Sequence, residues 1–232
     1  MFLLKENLNE VISNIESACK RSNRDINDVT LIAVSKTKPL SDIEELLSYG
    51  VREYGENKVQ ELCDKYDNIS SPVNWHLIGH LQTNKVKYIV DKACLIHSVD
   101  SYHLAEAIEK EASKKGVIAN ILIQVNIAHE DTKFGINETE VLDLLYKIKD
   151  FNHINVKGLM TIAPFVENPE ENRVHFRKMK QLLLDIKSKN IDNIDMCILS
   201  MGMTNDYEVA IEEGSTMVRV GTGIFGERNY NI

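Results

Sequence analysis

A lysine at position 36 follows an apolar run that is typical of a buried strand. The stretch LIAVSKTKP, residues 31–39, is apolar from Leu31 to Val34 and breaks at Pro39. A lysine that loses hydration at such a strand end favours its neutral form, because desolvation penalises the charged ammonium. A neutral amine is a nucleophile toward aldehydes and ketones. Lys36 is therefore a candidate for imine formation, and the alternative is a lysine that caps the strand and extends into solvent.

Two later segments offer groups that could bind an anion. The segment SMGMTND, residues 200–206, begins with Ser200 and places a glycine, a threonine and an asparagine before a predicted helix. The segment VGTG, residues 220–223, provides Gly221 and Thr222 in a second turn of this kind. Hydroxyls and backbone N–H groups in such turns bind phosphate. An imine-forming amine together with a phosphate site predicts a phosphorylated aldehyde as the ligand, and pyridoxal phosphate has both groups.

Two further residues have a binding interpretation and a structural one. Arg219, at the end of the last predicted strand, is placed to face the pyridine nitrogen of pyridoxal phosphate, where a permanent cation would leave that nitrogen unprotonated and weaken the ring as an electron sink. The alternative for Arg219 is a salt bridge to Glu56 or Glu227. Asn57 is either a partner of the cofactor ring or the N-cap of a helix that begins at Lys58.

The elements that would position these residues alternate along the chain. Apolar positions recur at three- and four-residue steps near the N-terminus and predict an amphipathic helix over about residues 3–21. Eight short runs typical of strands then alternate with helical segments: VTLIAVS, REYGE, NWHLIG, CLIHSVD, NILIQVNIA, INVKGLM, DMCILSMG and TMVRVGTGIFG. This alternation requires parallel strands with right-handed crossovers.

Eight strand-helix units predict an α/β fold, a closed (β/α)8 TIM barrel with an additional N-terminal helix; the competing fold is an open doubly wound sheet. We expect the barrel over about residues 29–226, in a single domain covering residues 1–232. In a barrel of this type the carboxyl ends of the strands converge on one mouth, and phosphate sites frequently follow strands seven and eight. The two candidate anion segments lie at those positions, and Lys36, Asn57 and His80 follow the first three strands.

Composition limits the partners and the location. The 232 residues are 43% hydrophobic and 27% charged, as in an ordinary globular protein. With 35 acidic and 27 basic residues the net charge is −8, which argues against nucleic acid as a partner. The four cysteines form no C-x-x-C pair, so neither a disulfide framework nor a structural metal is expected. The N-terminal segment MFLLKENLNEVI is too polar for a signal peptide or a membrane span, and we expect a cytoplasmic protein.

A set of motifs then adds a resemblance that runs nearly end to end: AVSKTKP, YGENKVQE, WHLIGHLQTNK, SVDS, KGLMTIAP, LSMGMTND and VRVGTGIFGER. In this order they resemble the pyridoxal phosphate homeostasis proteins, the YggS/PROSC family, which are related in fold to the barrel domain of alanine racemase. The resemblance implies a cofactor carrier that binds pyridoxal phosphate and delivers it, with apo enzymes that depend on this cofactor as candidate recipients. It also implies roles for seven residues: Lys36 as the internal aldimine, Ser200, Gly221 and Thr222 at the phosphate, Arg219 at the pyridine nitrogen, and Asn57 and His80 along the pocket.

A racemase is the main alternative to a carrier without turnover. Racemisation needs two acid/base groups, one on each face of the substrate α-carbon. Alanine racemases supply the second group from an additional β-domain, for which we expect no counterpart here; Tyr54 and His80 are the candidate bases. A Schiff-base aldolase acting on sugar phosphates is a third possibility. The segment HEDTKFG, residues 129–135, is either a lid over the mouth or a solvated connection.

Overall fold

Eight parallel strands close into a barrel in the computed structural model, which describes residues 2–130 and 133–227. Each strand pairs with the next, and the last strand pairs with the first through Thr30↔Met217 to Ala33↔Val220. The strands are β1 (Thr30–Val34), β2 (Glu53–Glu56), β3 (Asn74–Leu77), β4 (Ala93–Val99), β5 (Ala119–Gln124), β6 (Ile154–Met160), β7 (Ile194–Met203) and β8 (Met217–Val220). The predicted TIM barrel is confirmed, and the open sheet is wrong because β8 and β1 pair.

Helices cover the outside of the barrel. Within the described residues they are α1 (Phe2–Arg21), α2 (Leu40–Ser48), α3 (Val59–Asn68), α4 (Val86–Ile89), α5 (Tyr102–Lys115), α6 (Val141–Ile148), α7 (Arg173–Lys187), α8 (Tyr207–Glu212) and α9 (Thr222–Phe225). Single 3-10 turns occupy Ile26–Asp28, Thr83–Lys85, Glu138–Glu140 and Pro169–Asn172. None of the described helices is both long enough and apolar enough to cross a membrane.

Local sequence explains where individual helices form. In α5, the Ser101 side chain accepts a hydrogen bond from the backbone N–H of Leu104 (3.2 Å) and so caps the first turn. Gly116 ends the helix at φ +65°, a conformation that glycine adopts without a Cβ penalty. In α6, Val141, Leu144, Leu145 and Ile148 form the buried stripe of an amphipathic helix.

The N-terminal helix supports the end of the chain that carries a candidate anion turn. Helix α1 buries Leu8 and Val11 and packs against α8 and α9. Burial of such side chains stabilises the fold by roughly 1.5–3 kcal/mol each. The side-chain amide of Asn7 also donates to the carbonyl of Ile224 in α9 (2.9 Å). Because α9 follows Gly221 directly, this packing positions that turn.

Candidate functional site

The carboxyl ends of the strands surround a cavity of about 730 Å³, the largest of three described clefts and within the range of ligand sites. Six of the seven predicted cofactor residues line it: Lys36, Asn57, His80, Arg219, Gly221 and Thr222. The seventh, Ser200, is fully buried beneath the cavity and contacts Arg219. The structure therefore brings the seven residues together, with six in the wall and one supporting it.

Lys36 lies in a tight turn at the end of β1. The N–H of Ser35 still bonds to the carbonyl of Gly55 in the neighbouring strand (3.1 Å), which continues the parallel pairing. The N–H of Lys38 then bonds back to the carbonyl of Ser35 (3.0 Å) and closes a turn around Lys36 and Thr37. Thr37 has φ +64°, a left-handed conformation that is costly for a threonine.

A buried ion pair stabilises this turn from below. The Lys65 ammonium donates to the carbonyl of Ser35 (2.7 Å) and to Glu56 Oε1 (2.7 Å), and that same oxygen accepts the Ser35 hydroxyl (2.6 Å). Glu61 bonds to Lys65 (2.8 Å) and accepts the N–H of Thr37 (2.5 Å). The strained turn is thus held by charged groups on β2 and α3, and Lys36 is kept in the cavity wall.

Arg219 is anchored by two hydrogen bonds inside the barrel. Its Nη1 donates to Ser200 Oγ (2.6 Å), and its Nη2 donates to the carbonyl of Thr161 (2.8 Å). Burial lowers the pKa of Arg219 to about 10, so the guanidinium remains charged at neutral pH. The salt-bridge interpretation fails for its two candidates, since Glu56 is engaged by Lys65 and Glu227 lies exposed at the surface.

A chain of hydrogen bonds runs from Arg219 through the barrel interior. Ser200 Oγ lies 3.0 Å from His97 Nδ1, His97 Nε2 lies 2.9 Å from His76 Nδ1, and His76 Nε2 lies 2.7 Å from Glu53 Oε2. Burial, reinforced by the charge of Arg219, holds the pKa of His97 well below its usual range, so this ring is neutral.

The groups at the two ends of this hydrogen-bond chain determine which atom donates in each bond. A guanidinium only donates and a carboxylate only accepts. When each imidazole carries one proton, His76 therefore donates from Nε2 to Glu53, His97 donates from Nε2 to His76, and the hydroxyl of Ser200 donates to His97. Each of the four bonds then has one donor and one acceptor, and the charge of Arg219 is connected to a carboxylate at the opposite end of the barrel.

The anion turn after β8 faces a hydroxyl from the loop after β7. Thr204 Oγ1 accepts long hydrogen bonds from the N–H groups of Gly221 (3.3 Å) and Gly223 (3.5 Å). Such distances are weak for a neutral acceptor, and a charged phosphate oxygen would bind these N–H groups more strongly. The N–H of Met203 is already bonded to Asp206 Oδ1 (2.7 Å) and orders the loop instead. The turn therefore suits an anion.

Asn57 enters the cavity wall because its neighbour is a glycine. The cap position of α3 is Lys58, so the interpretation of Asn57 as the N-cap is wrong. A Cβ on Gly79 would lie 2.2 Å from the backbone oxygen of Asn57 and 2.7 Å from its Cα. Only a glycine at 79 allows the ends of β2 and β3 to approach this closely.

His80 and Tyr54, the two candidate bases, have different surroundings. The ring of His80 lines the cavity and stacks on Phe134, with ring centroids 3.9 Å apart. Tyr54 is fully buried, and its hydroxyl donates to the carbonyl of Ile43 in α2 (3.1 Å). Burial also raises the Tyr54 pKa, partly opposed by Arg52. Tyr54 is a core residue, so of the two candidate bases it is His80 that lines the cavity.

The 129–135 segment contributes to the mouth through its last residues. Phe134 covers one face of His80, whereas His129 lies at the surface, 3.3 Å from Glu138. Residues 131 and 132 lie outside the described part of the chain. Phe134 therefore forms part of the cavity wall, whereas His129 is exposed to solvent.

A family model described as the alanine racemase N-terminal domain matches residues 7–229 of the chain. A pyridoxal phosphate homeostasis protein of Aquifex aeolicus is 44% identical over 226 residues, which cover 97% of this chain and 98% of the relative. The protein of the same name from Escherichia coli K12 is 37% identical over 233 residues, covering 98% of each. The chain belongs to the pyridoxal phosphate homeostasis protein family. The resemblance seen in the sequence motifs is confirmed.

Solved structures agree with this family membership. PipY of Synechococcus elongatus, solved with pyridoxal phosphate bound, superposes with a TM-score of 0.80 at 31% identity and covers 92% of this chain and 100% of that chain. A protein of Bifidobacterium adolescentis gives a TM-score of 0.90 at 33% identity, over 96% of this chain and 94% of that chain. An alanine racemase of Clostridium difficile shares the fold alone, with a TM-score of 0.78 at 14% identity.

The cavity wall also contains residues other than the seven predicted to bind the cofactor. They include apolar and polar side chains from several loops: Val34, Ile78, Gln124, Phe134, Ile162, Phe165, Met203, Thr204 and Asn205. Thr204 was visible in the sequence as a hydroxyl within the first anion segment. The apolar wall residues carry no sequence signal of their own, because any strand end supplies such residues.

Proposed function

We propose that the chain binds pyridoxal 5'-phosphate in the 730 Å³ cavity, as one cofactor-binding domain, and holds it on Lys36 for storage and delivery. The observation that carries this proposal is that an amine, a guanidinium and a glycine turn surround the same cavity. Lys36 lies in the turn that follows β1, Arg219 lies on β8, and the Gly221 turn follows β8 directly. An amine, a fixed donor for a ring nitrogen and a phosphate turn match the aldehyde, the ring nitrogen and the phosphate of this cofactor.

Each group has a defined task in the proposal. The Lys36 nitrogen replaces the aldehyde oxygen of the cofactor, and one water molecule leaves. Arg219 presents donors only, so it binds an unprotonated ring nitrogen. The N–H groups of Gly221 and Gly223 exchange the Thr204 hydroxyl for a phosphate oxygen. When bound, the cofactor supplies a reactive carbonyl and an electron sink, which the arginine weakens.

The cavity favours a carrier over a racemase, because a racemase needs two acid/base groups and only one of the two candidate bases lies there. His80 is there, but Tyr54 is held in the core. The relatives named above are called pyridoxal phosphate homeostasis proteins, and these names support a carrier. A cytoplasmic location belongs to the same proposal, and the four free cysteines support it because thiols stay reduced in that compartment. Delivery to apo enzymes that depend on the cofactor completes the proposal.

The binding proposal is tested with Lys36→Ala, and with Lys38→Ala as the matched control. Lys38 lies two residues away and donates to the carbonyl of Phe225 (2.8 Å). We expect wild type and Lys38→Ala to show imine absorption in the visible range and covalent attachment of the cofactor after borohydride reduction. Lys36→Ala should show neither. Covalent trapping that survives Lys36→Ala would move the site to another lysine, such as Lys38 or Lys85.

The carrier proposal is tested by turnover. Purified holoprotein should interconvert D- and L-alanine, and other amino acids, far more slowly than the ~1–10³ s⁻¹ of typical enzymes. Turnover in that range, lost in Lys36→Ala, would establish the racemase instead. Aldol cleavage of a sugar phosphate by colourless protein would favour the aldolase.

A further inference from the structure

Three side chains of the kind that bind metals meet at the amino-terminal end of the barrel, opposite the cavity. Glu53 begins β2, His76 lies within β3, and Cys94 is the second residue of β4. Their ligand atoms all lie within 4.8 Å of one another. We propose that Glu53, His76 and Cys94 form a binding site for a divalent transition-metal ion of the zinc class.

The strand register brings Cys94 into this cluster. In the β3–β4 pairing Trp75 lies opposite Ala93, and the next residue, His76, lies opposite Leu95. Cys94 is therefore an extra residue in β4, at a bulge. Bulges redirect a side chain relative to a regular strand, and they recur next to functional sites. Nothing in the spacing of these residues along the sequence predicts the convergence, because each comes from a different strand.

The donor set suits one class of ion. A thiolate and an imidazole favour zinc-class ions over magnesium or calcium, and a carboxylate is also a common zinc ligand. At ligand distances of about 2.0–2.3 Å, a tetrahedral site needs donor atoms roughly 3.4 Å apart. The His76 Nε2 to Glu53 Oε2 distance is 2.7 Å, so a small opening of this pair admits the ion. The thiolate and the carboxylate together would cancel the charge of a divalent ion, and a fourth position would remain for water.

The cluster has support on one side and access on the other. His97 bonds to His76 Nδ1 at 2.9 Å, and such an outer partner orients a metal-binding imidazole. Glu53 retains 28% exposure of its side chain and lines a cleft of about 480 Å³, which gives an ion a path from solvent. His76 itself is buried.

Protons move when an ion binds. The Cys94 thiol gives up its proton to solvent. His76 keeps one proton but moves it from Nε2 to Nδ1, because the ion takes the Nε2 lone pair. His76 then donates from Nδ1 to Nε2 of His97, so the His97 proton moves from Nε2 to Nδ1 and is donated to Ser200 Oγ, whose own hydroxyl proton turns away from His97. These shifts reverse the hydrogen bonds deduced for the ion-free chain. The site is thus connected to Ser200 and Arg219 without depending on the cofactor proposal.

The experiment uses full-length protein without an affinity tag, dialysed against a chelator. Zn²⁺ is titrated in competition with a chromophoric chelator, and Co²⁺ is titrated by absorption, which reports thiolate ligation through a sulfur-to-cobalt charge-transfer band. We expect one ion per chain and a thiolate band in the wild type. Cys94→Ser should remove the band and weaken Zn²⁺ binding by at least about tenfold. Cys63 is also a partly buried cysteine, and Cys63→Ser should change neither the thiolate band nor Zn²⁺ binding.

A second pair of variants tests the carboxylate. Glu53→Gln should also weaken Zn²⁺ binding, whereas Glu109→Gln should not, although Glu109 likewise bonds to a histidine, His153 (2.9 Å). Circular dichroism of each variant checks the fold. The proposal is overturned if the wild type binds no Zn²⁺ or shows no thiolate band. It is also overturned if Cys94→Ser or Glu53→Gln, correctly folded, binds Zn²⁺ as the wild type does.

Discussion

Ser200→Ala tests whether the hydroxyl beneath the cavity holds Arg219 in place. Ser200 Oγ accepts from Arg219 Nη1 at 2.6 Å and bonds to His97 Nδ1 at 3.0 Å, and all three side chains are buried. Alanine removes the oxygen and leaves one donor of a charged group and one imidazole nitrogen without this partner. The alanine fits the site sterically, so the change isolates the lost hydrogen bonds.

The magnitude follows from the two bonds. A hydrogen bond to a charged group contributes about 1.5–3 kcal/mol, and one between neutral groups contributes about 1 kcal/mol. We therefore expect Ser200→Ala to lower the free energy of unfolding by roughly 2–4 kcal/mol. We also expect weaker retention of pyridoxal phosphate, because the guanidinium that we propose to face its ring loses one of two anchors, while the proposed link to Lys36 still forms.

The assay is urea unfolding of cofactor-free protein, with Ser98→Ala as the matched control. Ser98 is equally buried in β4, but its hydroxyl has no hydrogen-bond partner within the described residues. Removal of such a group should cost less than about 1 kcal/mol or stabilise the protein. Equal losses of stability in the two variants would refute the claim that the Ser200 hydroxyl anchors Arg219.

Two further predictions concern the cavity wall and the interior chain. Gly79→Ala should reduce the free energy of unfolding by about 1–3 kcal/mol and weaken cofactor binding, because its Cβ would overlap the Asn57 backbone at 2.2 Å. Gly221→Ala should be less destabilising in the same unfolding assay, because its Cβ would lie 3.5 Å from the nearest atom. A larger loss of stability in Gly221→Ala than in Gly79→Ala would contradict the steric argument. In chelator-treated protein, we expect His97 to lower the free energy of unfolding as the pH drops below 6.5, by up to about 1.4 kcal/mol per pH unit. The reason is that the imidazole binds a proton in the unfolded chain, whereas burial keeps it neutral in the folded protein. His97→Gln should have a shallower slope over this window in unfolding measured at each pH, and an unchanged slope would show that the folded ring accepts the proton.

Much of the candidate site could be predicted from the sequence because its polar residues follow the carboxyl ends of strands. A lysine directly after an apolar strand and two glycine turns after the last strands indicated the cavity residues, and in a parallel barrel all strand ends of one polarity share a face. The alternatives for single residues were harder to decide. Asn57 had two interpretations in the sequence, and the cap position of α3 decided between them. Tyr54 was a candidate base, and its hydrogen bond to Ile43 in α2 shows that its side chain lies in the core.

The sequence by itself determined the alternation of strands and helices, the family, and six of the residues that line the cavity, because these depend on local periodicity and on motifs that remain contiguous in the chain. Only the tertiary structure decided that Ser200 lies beneath the cavity and that a hydrogen-bond chain joins Arg219 to Glu53. It also decided that Cys94 meets Glu53 and His76. Closure of the barrel and a bulge in one pairing set these distances, and both are properties of several strands at once.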